Sequence, residues 1–201
     1  MLIIGITGGT GSGKTIAVHA LQTLGALALD CDEIYHELLL SSADMKAEIE
    51  AHFENVSTDG AIDRQKLGEI VWNDPASLQE LNIITHKYVN NEIERRINTF
   101  KARDGKIAAV DAIALIESGQ SSKCDIVVGV IAPPEKRLTR IMKRDKLTKE
   151  YAQMRINAQQ PDSYYTKNCD YILENTYDTQ TEFEDKCLEF FNEMIRRNKF
   201  E

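Results

Sequence analysis

The 201-residue sequence is poor in the residues that would place it in several common function classes. It has four cysteines (Cys31, Cys124, Cys169 and Cys187), with no Cys-x-x-Cys pair and no metal-ligand spacing. That pattern excludes a zinc module or disulfide scaffold and fits scattered reduced thiols, Cys31 included. Positive charge is also short: 24 Lys plus Arg stand against 32 Asp plus Glu, a net charge of −8. Duplex-binding proteins show the opposite balance, so nucleic acid is not an expected partner. No apolar run approaches the roughly 18 residues of a membrane span. The chain enters an apolar strand at once, leaving no room for a signal peptide, so the expectation is a cytoplasmic protein with no membrane partner. Repeats and low-complexity tracts are absent. A composition 42% hydrophobic and 28% charged suits one globular α/β domain with a sizeable core.

What is present is a phosphate-binding pattern. Gly8-Gly9-Thr10-Gly11-Ser12-Gly13-Lys14-Thr15 fits Gly-x-x-x-x-Gly-Lys-[Ser/Thr]. Before it, Leu2-Ile3-Ile4-Gly5-Ile6-Thr7 reads as a buried strand. After it, Ile16, Ala20 and Leu24 recur at helical spacing, and Gly25 closes the helix. Glycines let backbone N–H groups turn toward phosphate oxygens, and the helix start adds its positive dipole end. In that arrangement Lys14 reaches the β- and γ-phosphates of ATP, and the Thr15 hydroxyl holds Mg²⁺.

A second strand runs from Gly25 and ends in Asp30 and Asp32. If it continues that far, alternation sets both carboxylates on one side, beyond a carboxyl strand end where α/β sheets bind ligands. For Asp30 a structural strand-end role stands level with a catalytic one. Residues 33–40 read as helix. From 41 to about 103 strand signals vanish. Met45, Ile49 and Phe53 mark one helix, and Thr58-Asp59-Gly60 a turn. Asp63 caps a helix whose apolar face is Leu67, Ile70 and Val71. Asn73-Asp74-Pro75 breaks it, and Leu78, Leu81, Ile84, Val89, Ile93 and Ile97 mark a long helical stretch with a kink near His86.

A third strand ends in Asp111, in the apolar-strand-then-Asp pattern that helps hold Mg²⁺ through water. A strand-end Asp capping a neighbouring loop is the equal alternative. Residues 125–131 form a fourth, central strand. The helix after Pro134 puts Arg137, Arg140 and Arg144 on one face, and a further helix begins at Thr148. This basic run reads as a lid whose arginines stabilise a transferring phosphate, in preference to a solvated face paired with Glu135, Asp145 and Glu150. A fifth strand leads to Asn175, and a closing helix over 179–199 buries Phe183, Cys187, Phe190, Met194 and Ile195. The order predicts a five-stranded parallel sheet wrapped by helices. The core is 1–40 with 104–201, the helical insert about 41–103, and the lid about 135–160.

At this point the chain resembles the dephospho-CoA kinase family nearly end to end. The phosphate loop is shared by many kinases. Narrower are Asp59-Gly60-Ala61-Ile62-Asp63-Arg64 and Asn82-Ile83-Ile84-Thr85-His86, joined by Asp30-Cys31-Asp32, residues 111–117, Arg137-Leu138-Thr139-Arg140, Arg144-Asp145, 155–159 and 170–175. The resemblance implies a P-loop kinase fold and ATP-dependent phosphorylation of the ribose 3′-hydroxyl of dephospho-CoA, with Mg²⁺ accompanying ATP. It implies that Asp32 orients or deprotonates that hydroxyl and that Arg64, His86 and Glu117 line the acceptor site. It also implies that Arg140 and Arg144 belong to the lid and that Asn175 lies near the adenine. Lys87 stands where the family usually has Pro, Ile113-Ala114-Leu115-Ile116 where it has Pro-Leu-Leu-Phe, and Arg137 where it often has Gln. Two alternatives stay open: another small-molecule or nucleoside kinase of this fold, and a nucleotide-hydrolysing switch that needs no acceptor.

Overall fold

Apolar β-branched runs and amphipathic stretches alternate along the chain, and a computed structural model turns them into strands and helices. It describes residues 1–58, 60–72 and 74–198. The order is β1 (Leu2–Thr7), α1 (Lys14–Thr23), β2 (Leu27–Asp30), α2 (Cys31–Ser41), α3 (Ala43–His52), β3 (Ser57–Thr58), β4 (Ala61–Ile62), α4 (Arg64–Trp72) and α5 (Pro75–Lys101). There follow β5 (Ile107–Asp111), a 3₁₀ turn at Gln120–Lys123, β6 (Ile126–Ile131), α6 (Pro134–Asp145), α7 (Lys149–Asn157), α8 (Asp162–Asn168), β7 (Tyr171–Glu174) and α9 (Gln180–Arg197). Two compact units result: residues 1–29 with 100–201, and residues 30–99.

The first unit carries a five-stranded parallel sheet in the order β2-β5-β1-β6-β7. β1 lies at its centre, pairing in parallel with β5 (Ile4 opposite Ala109) and with β6 (Ile6 opposite Val128). Such strands are covered on both faces, which is why they read as continuous apolar runs. Ala17, Ala20 and Leu21 of α1 share one core cluster with Phe183, Cys187, Phe191 and Met194 of α9. Phe191 is fully buried, as is Phe183, while the half-buried Phe190 packs against the same cluster and edge-on against Phe191. A capping box starts α9: Thr179 Oγ1 accepts from Glu182 N, and Glu182 accepts from Thr179 N. The expected end of this helix at Lys199 lies outside the described residues.

The second unit is mostly helical around Met45, Ile49, Phe53, Leu67, Leu81 and Ile84. Strand signals do not vanish here entirely, because β3 and β4 form a short antiparallel hairpin. The expected turn at Asp59 and the break at Asn73 fall outside the described residues. Asp63 caps α4, accepting from Gln65 N and Lys66 N. Of the apolar face read for α4, only Leu67 is buried; Ile70 is 37% exposed. Through His86, where the sequence suggested a kink, α5 continues as one 27-residue helix. Lys87 has the backbone N–H that a proline would lack, so the helical ladder continues. Leu78 lies on the exposed side of α5.

Candidate active site

The phosphate loop joins β1 to α1 in the first unit. It opens with a turn in which Ser12 N donates to Gly9 O at 3.1 Å. Gly11 takes φ +79° at the third position of that turn, a conformation that costs glycine nothing. Three side chains then hold the loop's carbonyls from outside. Arg137 Nε donates to Thr10 O at 3.0 Å, Arg140 Nη1 to Gly11 O at 3.2 Å, and Asn175 Nδ2 to Ser12 O at 2.8 Å. In trans peptides the Gly11 and Gly13 N–H groups point away from the Thr10 and Ser12 carbonyls so held, while Ser12 N–H closes the turn. The following helix has no side-chain cap and no acidic residue in its first turn, so its N-terminal N–H groups and dipole are open to an anion. Ser12 Oγ is buried without a hydrogen-bond partner. This donor set fits the phosphates of a nucleotide. Lys14 opens α1, and the Thr15 side chain beside it is exposed.

Arg140, expected in the lid, and Asn175, expected near the adenine, are bonded to each other beside the loop. Arg140 Nη2 donates to Asn175 Oδ1 and to Tyr177 O, both at 3.0 Å. Burial lowers its pKa from the ordinary value, opposed by the charge of Asp178. Asn175 is 1% exposed, and its amide is engaged at both ends. Both residues buttress the loop from β7 and α6. Arg144, by contrast, lies exposed and pairs with Asp145 through Nε (2.7 Å) and Nη2 (3.0 Å), and Arg155 joins the same carboxylate. The pairing with Asp145 is one that the solvated-face alternative expected.

Asp111 is the last residue of β5, half-buried at the strand's carboxyl end. Beyond it, Glu117 lines a cavity of about 240 Å³ together with Ile113, Ala114, Gln159 and Tyr165. Burial first, then the Glu117 charge, pushes the Tyr165 phenol up to about 12.

The other expected residues belong to the second unit. β2 ends at Asp30, so the two acids do not alternate along one strand. Asp30 is instead the N-cap of α2, its Oδ1 accepting from Asp32 N (2.8 Å) and Glu33 N (3.1 Å). That is the structural role of the two weighed for it. Asp32 stands exposed in the first turn of α2, where the helix dipole favours a carboxylate. Arg64 opens α4 and is exposed, and its charge bears on the Tyr35 phenol of α2. His86 is half-buried in α5, and burial lowers its pKa, which keeps the imidazole neutral at neutral pH.

The model of the dephospho-CoA kinase family matches residues 2–181. The chain belongs to that family. A dephospho-CoA kinase of Lactobacillus johnsonii is 34% identical over 96% of the chain and 98% of its own length. That of Thermobifida fusca is 32% identical over 98% of both chains. Among solved structures, a Thermus thermophilus protein superposes with a TM-score of 0.82 at 27% identity, covering 96% of this chain and 97% of that one. Dephospho-CoA kinase from Campylobacter jejuni gives 0.70 at 26% identity, covering 98% of both. A shikimate kinase from Acinetobacter baumannii, at 18% identity and a TM-score of 0.54, shares the fold. The P-loop kinase fold expected from the sequence is therefore the fold of this dephospho-CoA kinase family member.

Within that family frame the loop supports include Arg137, read from the sequence as a lid arginine, and Gln159, to which the sequence assigned no role. Arg137 and Gln159 both bond Thr10. The sequence signals were the motif stretches at Arg137-Leu138-Thr139-Arg140 and 155–159 and the departure at Arg137 from the family's usual Gln.

Proposed function

We propose that the protein transfers the γ-phosphoryl group of ATP to the ribose 3′-hydroxyl of dephospho-CoA, giving coenzyme A and ADP. The observation that carries the nucleotide half of this reading is the loop whose carbonyls are pinned outward by Arg137, Arg140 and Asn175. The family match over residues 2–181 carries the acceptor half. The loop N–H groups and Lys14 would hold the β- and γ-phosphates. Thr15, with Asp111 through water, would hold Mg²⁺, a hard cation that takes most of its ligands from phosphate and water and would neutralise phosphate charge. Asp32 would accept the proton of the 3′-hydroxyl as its oxygen bonds to the γ-phosphorus and the bridging oxygen leaves with ADP. Arg64, His86 and Glu117 would contact the acceptor. Arg140 and Asn175 would serve ATP through the loop they support, and Arg144 from the exposed end of α6. The reaction belongs in this reading to the cytoplasm, where cysteines remain reduced.

The test is ADP release from ATP and Mg²⁺, with and without dephospho-CoA and in parallel with adenosine. Stimulation by dephospho-CoA alone, with coenzyme A as product, is expected. Hydrolysis without any acceptor, or stimulation by another acceptor, would overturn the reading. Asp32→Asn is expected to lower turnover by about 10²–10⁴-fold, the range for acid–base groups, while ADP binds as before. Turnover within about threefold of the parent would remove Asp32 from that role.

A further inference from the structure

Thr10 carries three polar atoms, and two distant side chains hold all of them. Thr10 N donates to Gln159 Oε1 at 2.8 Å, and Gln159 Nε2 donates to Thr10 Oγ1 at 2.6 Å. Arg137 Nε donates to Thr10 O at 3.0 Å. The two clamping residues are themselves joined, Arg137 Nη2 donating to Gln159 Oε1 at 2.8 Å, and Arg137 Nη1 stands 3.6 Å from Asp162. Arg137 is 4% exposed, and each of its three guanidinium nitrogens is directed at a protein acceptor. It is therefore not placed to neutralise a phosphate. Its approach also explains Gly9: a Cβ there would fall 2.2 Å from Arg137 Nη2 and 3.0 Å from Gln159 Oε1.

We propose that Gln159, backed by Arg137, is a positioning residue for nucleotide binding that fixes the Thr10 corner of the phosphate loop. A loop with glycines at 8, 9, 11 and 13 has much backbone freedom to lose when it closes on phosphate. Holding the Thr10 N–H, carbonyl and hydroxyl beforehand removes part of that ordering cost from the binding step. Gln159 stands just past α7, so the clamp also ties the α6–α8 segment to the loop. Gln159 lines the cavity that holds Glu117, so a direct acceptor contact is the competing explanation.

The inference rests on nucleotide binding by this loop but not on which acceptor is used. It is tested by calorimetric titration of Gln159→Ala, Arg137→Ala and the parent with ADP and Mg²⁺, alongside thermal unfolding and steady-state kinetics. Gln159→Ala is expected to weaken ADP binding by about tenfold and raise KM for ATP in step. KM for dephospho-CoA stays within about twofold, and the melting temperature within a few degrees. In a Thr10→Ala background the same change costs less, because the two lesions share one contact. Arg137 is buried, and if its alanine variant fails to fold, the Gln159 result stands alone. ADP binding within about twofold of the parent in folded Gln159→Ala would overturn the proposal. So would a shift confined to KM for dephospho-CoA, which would make Gln159 an acceptor contact. Failure of the parent protein to make coenzyme A although it binds ADP would instead count against the acceptor reading.

Discussion

The side-chain amide of Asn175 donates to the carbonyl oxygen of Ser12 at 2.8 Å, across 163 positions of sequence, in a fully buried setting. Its other end accepts from Arg140. Asn175→Asp keeps the acceptor for Arg140 but sets a carboxylate oxygen against the Ser12 carbonyl. A buried polar group left without its partner costs about 1–3 kcal/mol. Asn175→Asp is expected to raise KM for ATP by at least about tenfold, with thermal unfolding shifted downward. Unchanged KM in steady-state kinetics would show that the loop holds its shape without Asn175.

Lys87 occupies a position where the family usually has proline. In the structure it bonds Glu48 of α3, which also accepts from Tyr88 Oη at 2.6 Å, and Lys87 Nζ lies 4.6 Å from the Tyr88 ring centre. Lys87 therefore ties α5 to α3. Lys87→Ala is expected to leave the urea midpoint nearly unchanged, since solvent screens the pair. KM for dephospho-CoA should stay within about twofold. Lys87→Pro is expected to cost roughly 3 kcal/mol, because it would break the interior of a continuous helix. A large rise in acceptor KM for Lys87→Ala would instead assign Lys87 to substrate.

Glu92 on α5 is held by two arginines. Hydrogen bonds from Arg95 (2.7 Å each), assisted by Arg96, pull its carboxyl down to about 2 against the opposing effect of desolvation. Its folded pKa lies below the ordinary value of 4.5. The contribution is thus fully present above about pH 4.5 and is lost as pH falls toward 2. Glu92→Gln is expected to destabilise the protein by roughly 1 kcal/mol at pH 7. That deficit should shrink when unfolding is repeated near pH 3, and a deficit independent of pH would take Glu92 out of the acid response.

Burial pushes the thiols of Cys124 and Cys187 up to about 12 and that of Cys169 to about 11, with nearby Asp125, Glu184 and Asp170 adding to the effect. Thiolates are the reactive species. Iodoacetamide at pH 8 is expected to leave these three cysteines unmodified in the native protein and to label them in denaturant, as read by mass spectrometry. Equal labelling in both states would contradict their burial.

Much of the fold was legible because its signals are local. Strand β1, the glycine loop and α1 follow from spacing within some twenty residues, where backbone freedom and helix dipoles act through near neighbours. The capping residues Asp63 and Thr179 were likewise written at helix starts. Errors arose where a neighbour distant in sequence decided the outcome. Ile70 has an apolar side chain at helical spacing yet lies exposed, and Phe191, left out of the expected apolar face, is fully buried beside the half-buried Phe190. Asp30 and Asp32 alternate as strand residues do, but Asp30 captures two backbone N–H groups and starts a helix one residue later.

By itself the sequence determined the phosphate loop, the five strands of the parallel sheet, and membership of a kinase family, because each depends on residue type and short spacing. Only the tertiary structure decided what holds the loop. Arg137, Arg140, Gln159 and Asn175 read as lid or nucleotide contacts or as nothing, yet all four converge on residues 10–12. Hydrogen bonds across more than a hundred positions leave no periodicity in a sequence. They exist only once the sheet has brought α6, the end of α7 and the end of β7 beside the turn that follows β1.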